Sequence, residues 1–148
     1  MNYAQALENI GKLTKFGINL GLARIGQLLA LLGNPHESLP IIHIGGTNGK
    51  GSTTAILAAV LKEAGYKVGA YTSPHLISYT ERYMINGHPI PEAEFARLVS
   101  EVVPLFEQVH ALTGEYPTEF EVLTALAFLY FHREKVDILL LEVGLGGD

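Results

Sequence analysis

Apolar positions recur in this chain at helical spacing in some stretches and as short unbroken runs in others, and their alternation gives the outline. Tyr3, Ala6, Leu7 and Ile10 share one face of a helix over residues 3–12, with Gly11 at its end. Lys15 to Gly21 has glycines four apart and reads as a loop. Leu22, Ile25, Leu28, Leu29 and Leu32 form a second helical stripe, closed by Gly33-Asn34-Pro35. Pro40 to Ile44 is β-branched and apolar, so a first strand is expected over about residues 40–45. The helix that follows is expected to place Ile56, Leu57, Val60, Leu61 and Ala64 on one face, with Gly65 as a left-handed C-cap. Lys67 to Thr72 is the second strand, parallel to the first if the helix between them is a right-handed crossover.

Glu81 to Ile90 predicts a short strand, a turn at Asn86-Gly87 and a return. From Pro91 to about Leu112, Phe95, Leu98, Val99, Val102, Phe106 and Val109 lie on one side of a helix. Pro104 should kink it or mark a break, and Thr113-Gly114 should end it. Thr118-Glu119-Phe120-Glu121 has the spacing of a capping box, and the helix it opens is apolar enough to be buried on most faces. Val136 to Val143 fits a central parallel strand buried on both faces. Strands alternating with helices make the fold class α/β, a mostly parallel sheet flanked by helices. Doubly wound sheets usually carry about five or six strands. Here three clear ones are present and the last is followed by Gly144-Leu145-Gly146-Gly147-Asp148, so an N-terminal piece of something larger is expected.

Composition narrows the class. With 148 residues, 48% apolar and 17% charged, the chain should form one globular unit of ordinary size. A net charge of −5 and the lack of a basic run argue against sequence-independent nucleic-acid binding. There is no cysteine, which excludes disulfides, thiolate metal sites and a cysteine nucleophile. Met1 to Glu8 lacks the basic start and apolar core of a signal peptide, and no apolar run is long enough to span a bilayer. No membrane partner and a cytoplasmic location are the expectations.

The candidate chemistry centres on Gly45-Gly46-Thr47-Asn48-Gly49-Lys50-Gly51-Ser52, a glycine-rich turn between a strand and a helix. That is the context of a phosphate-binding loop (P-loop). Glycines let the backbone approach an anion, the helix start offers free N–H groups, and a lysine reaches the outer phosphates. The match is a variant: Ile44 stands where the standard pattern has glycine, and Gly51 follows the lysine, so the hydroxyl comes one residue later at Ser52. Ser73, just past the second strand, falls at the sheet edge where ligands collect, although Ser73-Pro74 also reads as a turn starter. Glu142 is an acid at the end of an apolar strand. A buried carboxylate needs a partner, and beside a P-loop that partner is commonly Mg²⁺; a solvated strand end is the alternative. His43 is read as a packed residue of the first strand. His75 could touch substrate or only shape its turn.

Taken in order, Gly46 to Ser52, Thr72-Ser73-Pro74-His75-Leu76, Phe120-Glu121 with Thr124 to Ala127, and Leu141 to Gly147 resemble the folylpolyglutamate synthase/dihydrofolate synthase family, a branch of the Mur ligase superfamily. Gly21 to Arg24 and Leu32 to Pro35 resemble its N-terminal region. The resemblance implies an incomplete Mur-ligase-like central domain, with residues 1–148 as the N-terminal part of the ATP-binding domain and the C-terminal glutamate-binding domain absent. It implies an ATP-dependent ligase that activates a folate or dihydropteroate carboxylate as an acyl phosphate and joins it to L-glutamate. Gly46, Thr47, Asn48, Gly49, Lys50, Gly51 and Ser52 would bind ATP, with Lys50 catalytic. Ser52, Ser73 and Glu142 would serve Mg²⁺. Asn19, Leu20, Gly21, Thr118, Glu119, Phe120 and Glu121 would help form the pteridine pocket, and His75 would be a further substrate-binding residue. Asn19 replaces a frequent acid there, Ala23 a frequent Glu, and Glu119 a frequent aromatic. By the same resemblance, further magnesium and glutamate ligands would lie beyond Asp148, so the 148 residues alone are not expected to ligate. The alternatives are another P-loop kinase or nucleotide hydrolase, and a truncated nucleotide-binding module without ligase activity.

Overall fold

A computed structural model describes residues 1–13, 22–45, 50–72 and 78–142. In chain order the elements are α1 (Tyr3–Gly11), α2 (Ala23–Leu31), β1 (Ile41–Ile44), α3 (Lys50–Glu63), β2 (Val68–Thr72), β3 (Tyr83–Ile85), β4 (His88–Pro89), α4 (Glu92–Val102), α5 (Leu105–Thr113), α6 (Glu119–Arg133) and β5 (Ile138–Glu142). They fall into two compact units. One comprises Met1–Glu37 and Glu92–Tyr130, the other Ser38–Pro91 and Phe131–Asp148. Among the described residues no helix is long and apolar enough to cross a membrane.

The first unit is helical. α1 packs on α4 and α2 on α5, around Ala6, Ile10, Leu28, Phe95, Val99, Val102, Val109 and Leu126. α1 opens on a capping box that spacing did not single out. The Asn2 side chain accepts from the Gln5 N–H at 2.8 Å, and the Gln5 side chain accepts from the Asn2 N–H at 2.9 Å. Pro104 breaks the long predicted helix: α4 stops at Val102, and Pro104 caps α5, where its missing N–H costs no intrahelical bond. The stripe expected on α2 needs one correction. Leu22 precedes the helix and is 82% exposed, while Arg24 is buried.

The second unit holds a five-stranded sheet in the order β1-β5-β2-β3-β4. β1, β5 and β2 run parallel, and β3 and β4 are antiparallel additions. β5 is thus central, as its apolar run implied, and it separates two strands that are consecutive in sequence. The β3–β4 hairpin turns on Asn86 and Gly87, both at positive φ (48° and 84°), the pairing a tight primed turn requires. Asn86 also accepts the Val68 N–H through its side chain at 2.9 Å, tying the turn to β2.

The helix α3 packs on β1, β2 and β5 through Leu57, Ala58 and Leu61, against Ile44, Val68, Ala70 and Leu140. Its inward face is therefore turned from the one expected: Ile56 and Val60 are 65% and 58% exposed, because Thr54, Leu57, Ala58 and Leu61 form the i, i+3, i+4, i+7 row toward the sheet. Phe131 lies so close to β2 that a Cβ on Gly69 would sit 2.6 Å from its ring. His43 is exposed, not packed, because β1 is an edge strand among the described elements and its 41 and 43 side chains face away from the core.

Candidate functional site

Register in the parallel sheet brings the sequence-distant motifs to one edge. Ile44 and Thr72 are both partnered with Glu142 across β5, so the last residues of three parallel strands lie level. Ile44 leads into the glycine-rich turn, Thr72 leads into Ser73, and Glu142 ends the strand between them. This is the carboxyl-terminal edge of the parallel strands, the edge at which open α/β sheets collect ligands. β1 ends at Ile44 and α3 begins at Lys50, so a strand and a helix flank the glycine-rich segment. The N-terminus of α3 therefore opens at that edge, where its unpaired N–H groups and partial positive charge favour an anion.

Glu142 is buried, with 8% of its surface exposed, and its Oε1 accepts a hydrogen bond of 2.8 Å from the hydroxyl of Thr54. Thr54 sits one turn into α3 on the row that faces the sheet and is itself 5% exposed. The solvated alternative for Glu142 is thereby removed. Sequence reasoning had passed over Thr54 in favour of Ser52. The signal that could have found it is a hydroxyl on a helix row otherwise made of Leu57, Ala58 and Leu61. A cavity of about 560 Å³ adjoins the pair, lined by Ala55, Ala58 and Ala59 of α3, Val68, Ala70 and Thr72 of β2, and Met84, Asn86 and Gly87 of the hairpin.

The residues present suit a magnesium ion. Mg²⁺ prefers oxygen ligands and is usually held by one or two carboxylates, the remaining positions going to water and substrate phosphates. A buried carboxylate oriented by a hydroxyl beside a helix N-terminus supplies that protein share. Among the described residues no group of three or more His, Asp or Glu is gathered as in an all-protein metal cage.

Thr118 to Glu121 form the start of α6 as a reciprocal cap. The Thr118 N–H donates to Glu121 Oε1 at 2.9 Å, and the Glu121 N–H donates to Thr118 Oγ1 at 3.2 Å. Arg24 completes this arrangement with a bidentate pair, Nε to Oε1 at 2.9 Å and Nη2 to Oε2 at 3.0 Å, and reaches Glu115 at 3.1 Å. Hydrogen bonding to Glu121 holds the Arg24 guanidinium above its ordinary pKa, against the opposing effect of burial. Both carboxylate oxygens of Glu121 are thus occupied within the protein, while Glu119 and Phe120 are half-buried. Asn19, Leu20, Gly21, Gly46, Thr47, Asn48, Gly49, Ser73 and His75 lie outside the described residues, as do the side chains of Lys50 and Ser52.

A mixed α/β sheet with three parallel strands, a glycine-rich segment between strand and helix, and a strand-end acid defines the class. Comparison with known proteins gives its relatives. No protein-family model matches the chain. It is 46% identical over 146 residues to the dihydrofolate synthase/folylpolyglutamate synthase of Bacillus subtilis, an alignment covering 98% of this chain and 34% of that protein. The solved folylpolyglutamate synthetase of Lactobacillus casei superposes with a TM-score of 0.89 at 39% identity, over 97% of this chain and 36% of that one. A solved complex of a folylpolyglutamate synthase with AMPPCP and folate superposes with a TM-score of 0.85 at 39% identity, over 97% and 35%. Over nearly its whole length the chain is similar to folylpolyglutamate and dihydrofolate synthases, and it spans about a third of the length of these relatives.

Proposed function

We propose that this chain supplies the P-loop and magnesium part of an enzyme that ligates L-glutamate to a folate or dihydropteroate carboxylate. The observation that carries the reading is the levelling of Ile44, Glu142 and Thr72 at one sheet edge, with the buried Glu142 carboxylate held there by Thr54. An amide does not form from a carboxylate at neutral pH without activation. In the proposed reaction a carboxylate oxygen attacks the terminal phosphorus of ATP and ADP leaves. The amine of glutamate then attacks the acyl phosphate, releasing phosphate and a proton. Such phosphoryl transfer depends on positioning and charge neutralisation more than on covalent help from protein groups.

In this reading Gly46, Thr47, Asn48, Gly49, Lys50, Gly51 and Ser52 cradle the ATP phosphates, and Lys50 neutralises charge on the transferring group. Ser52, Ser73 and Glu142 hold magnesium, which when bound offsets the negative charge of the phosphates. The carboxylate substrate is already ionised near neutral pH, so no base is assigned to it. Asn19, Leu20, Gly21 and the start of α6 are assigned to the pteridine, and His75 to substrate contact. Thr118 and Glu121 are engaged in the cap and the Arg24 pair.

Calorimetric titration with magnesium and ATP tests the half-site. Lys50→Ala and Glu142→Gln should each weaken binding tenfold or more, on the order of one charge-assisted contact. Equal affinity in wild type and both variants would sink the assignment. A kinase or hydrolase on the same fold would release phosphate with no requirement for both a folate-type carboxylate and glutamate. The ligase requires both.

A further inference from the structure

We infer that Thr54 is a positioning residue for Glu142, fixing one carboxylate oxygen so that the other is presented to a divalent cation. The inference rests on the magnesium reading of Glu142 above and adds to it a residue outside the glycine-rich turn. The two side chains are 88 positions apart in sequence, come from a helix and a strand, and meet at 2.8 Å with both residues buried.

The choice of partner points to the role. Elsewhere in this chain a buried carboxylate, Glu121, is matched by a guanidinium that cancels its charge. Glu142 receives a neutral hydroxyl, and among the described residues no Lys, Arg or His forms an ion pair with it. A hydroxyl orients a carboxylate without neutralising it. A carboxylate oriented in this way at the sheet edge is suited to coordinate a divalent cation. The hydrogen bond to Oε1 restricts the carboxylate to one orientation, leaving Oε2 as the oxygen available for coordination. Second partners that orient a metal-binding carboxylate commonly carry about ten- to a hundredfold of metal affinity.

The test uses Mn²⁺ as the probe, followed by electron paramagnetic resonance in the presence of ATP, with ATP binding in EDTA measured alongside. Thr54→Val, which keeps shape and loses the hydroxyl, should weaken Mn²⁺ binding about tenfold while leaving metal-free ATP affinity within about twofold. Thr54→Ser should restore wild-type Mn²⁺ affinity. Thr54→Cys, a weaker donor, should fall between, and it carries the comparison if the valine variant does not fold. Loss of metal-free ATP binding in parallel with Mn²⁺ binding would reduce Thr54 to a structural residue and overturn the inference. So would wild-type Mn²⁺ affinity in Thr54→Val alongside lost affinity in Glu142→Gln, an outcome that spares the magnesium reading. Unchanged Mn²⁺ affinity in Glu142→Gln would remove both.

Discussion

Arg24 shows what a single side chain can hold. It is 3% exposed, and its guanidinium joins α2 to the first turn of α6 and to Glu115 within one unit. Replacing it with methionine keeps most of the volume but strands the Glu121 carboxylate in the interior. Arg24→Met should therefore lower stability by about 3–5 kcal/mol, read from urea unfolding. Adding Glu121→Leu should recover a substantial part of that loss, since removing both charges also removes the desolvation cost. A double variant no more stable than the single one would mean that the pair is not what stabilises this helix start. Spacing could not find the pair. Arg24 sits within an apolar stripe, and its partner lies 97 positions away. Gly69 is a second case, legible only once Phe131 is seen against it. Gly69→Ala forces the ring to shift and should cost about 1–3 kcal/mol, the usual penalty of overpacking.

At the scale of elements, local chemistry was readable and neighbour choice was not. Asn86-Gly87, the Pro104 break and the Thr118–Glu121 cap are each dictated by residues within a few positions, and each formed as its chemistry requires. The insertion of β5 between β1 and β2 is a non-local choice. The inward row of α3 was misjudged for a related reason: Ile56 and Val60 are as apolar as Leu57 and Leu61, and only the sheet beneath decides which pair is covered. Thr54 followed from that misjudgement, since a rotated helix hides its hydroxyl from view. The strand-helix junction and Glu142 were legible because β-branched runs, glycines and one acid in an apolar strand are strong local signals. The hairpin offers a direct check. Gly87 has φ of 84°, where a side chain costs about 1–2 kcal/mol, so Gly87→Ala should lower stability by that amount. A neutral result would mean that the turn relaxes to another type without loss.

For the molecule as a whole, the response to alkaline pH reports on one buried phenol. Tyr83 is 1% exposed, with the Tyr71 ring at 5.2 Å and the Phe131 ring at 6.5 Å. Burial raises its pKa well above the ordinary 10.0, and the charge of neighbouring Tyr71 pushes in the same direction. The neutral phenol is therefore favoured in the folded state. In the unfolded chain it ionises at its ordinary value. The contribution is fully present below about pH 10 and is lost progressively as pH climbs toward the folded value, because there the unfolded state gives up a proton that the folded state retains. Denaturant midpoints should therefore fall as pH passes about 10, with a shallower fall in Tyr83→Phe. Absorbance at 295 nm gives a second readout. Tyr83 should ionise together with unfolding. Equal alkaline slopes in wild type and Tyr83→Phe would mean that water reaches this phenol before the fold is lost. Since Tyr83 stands in β3, directly paired with Tyr71 of β2, that outcome would place the first opening of the sheet at its antiparallel side, away from the β1–β5–β2 edge that carries Glu142.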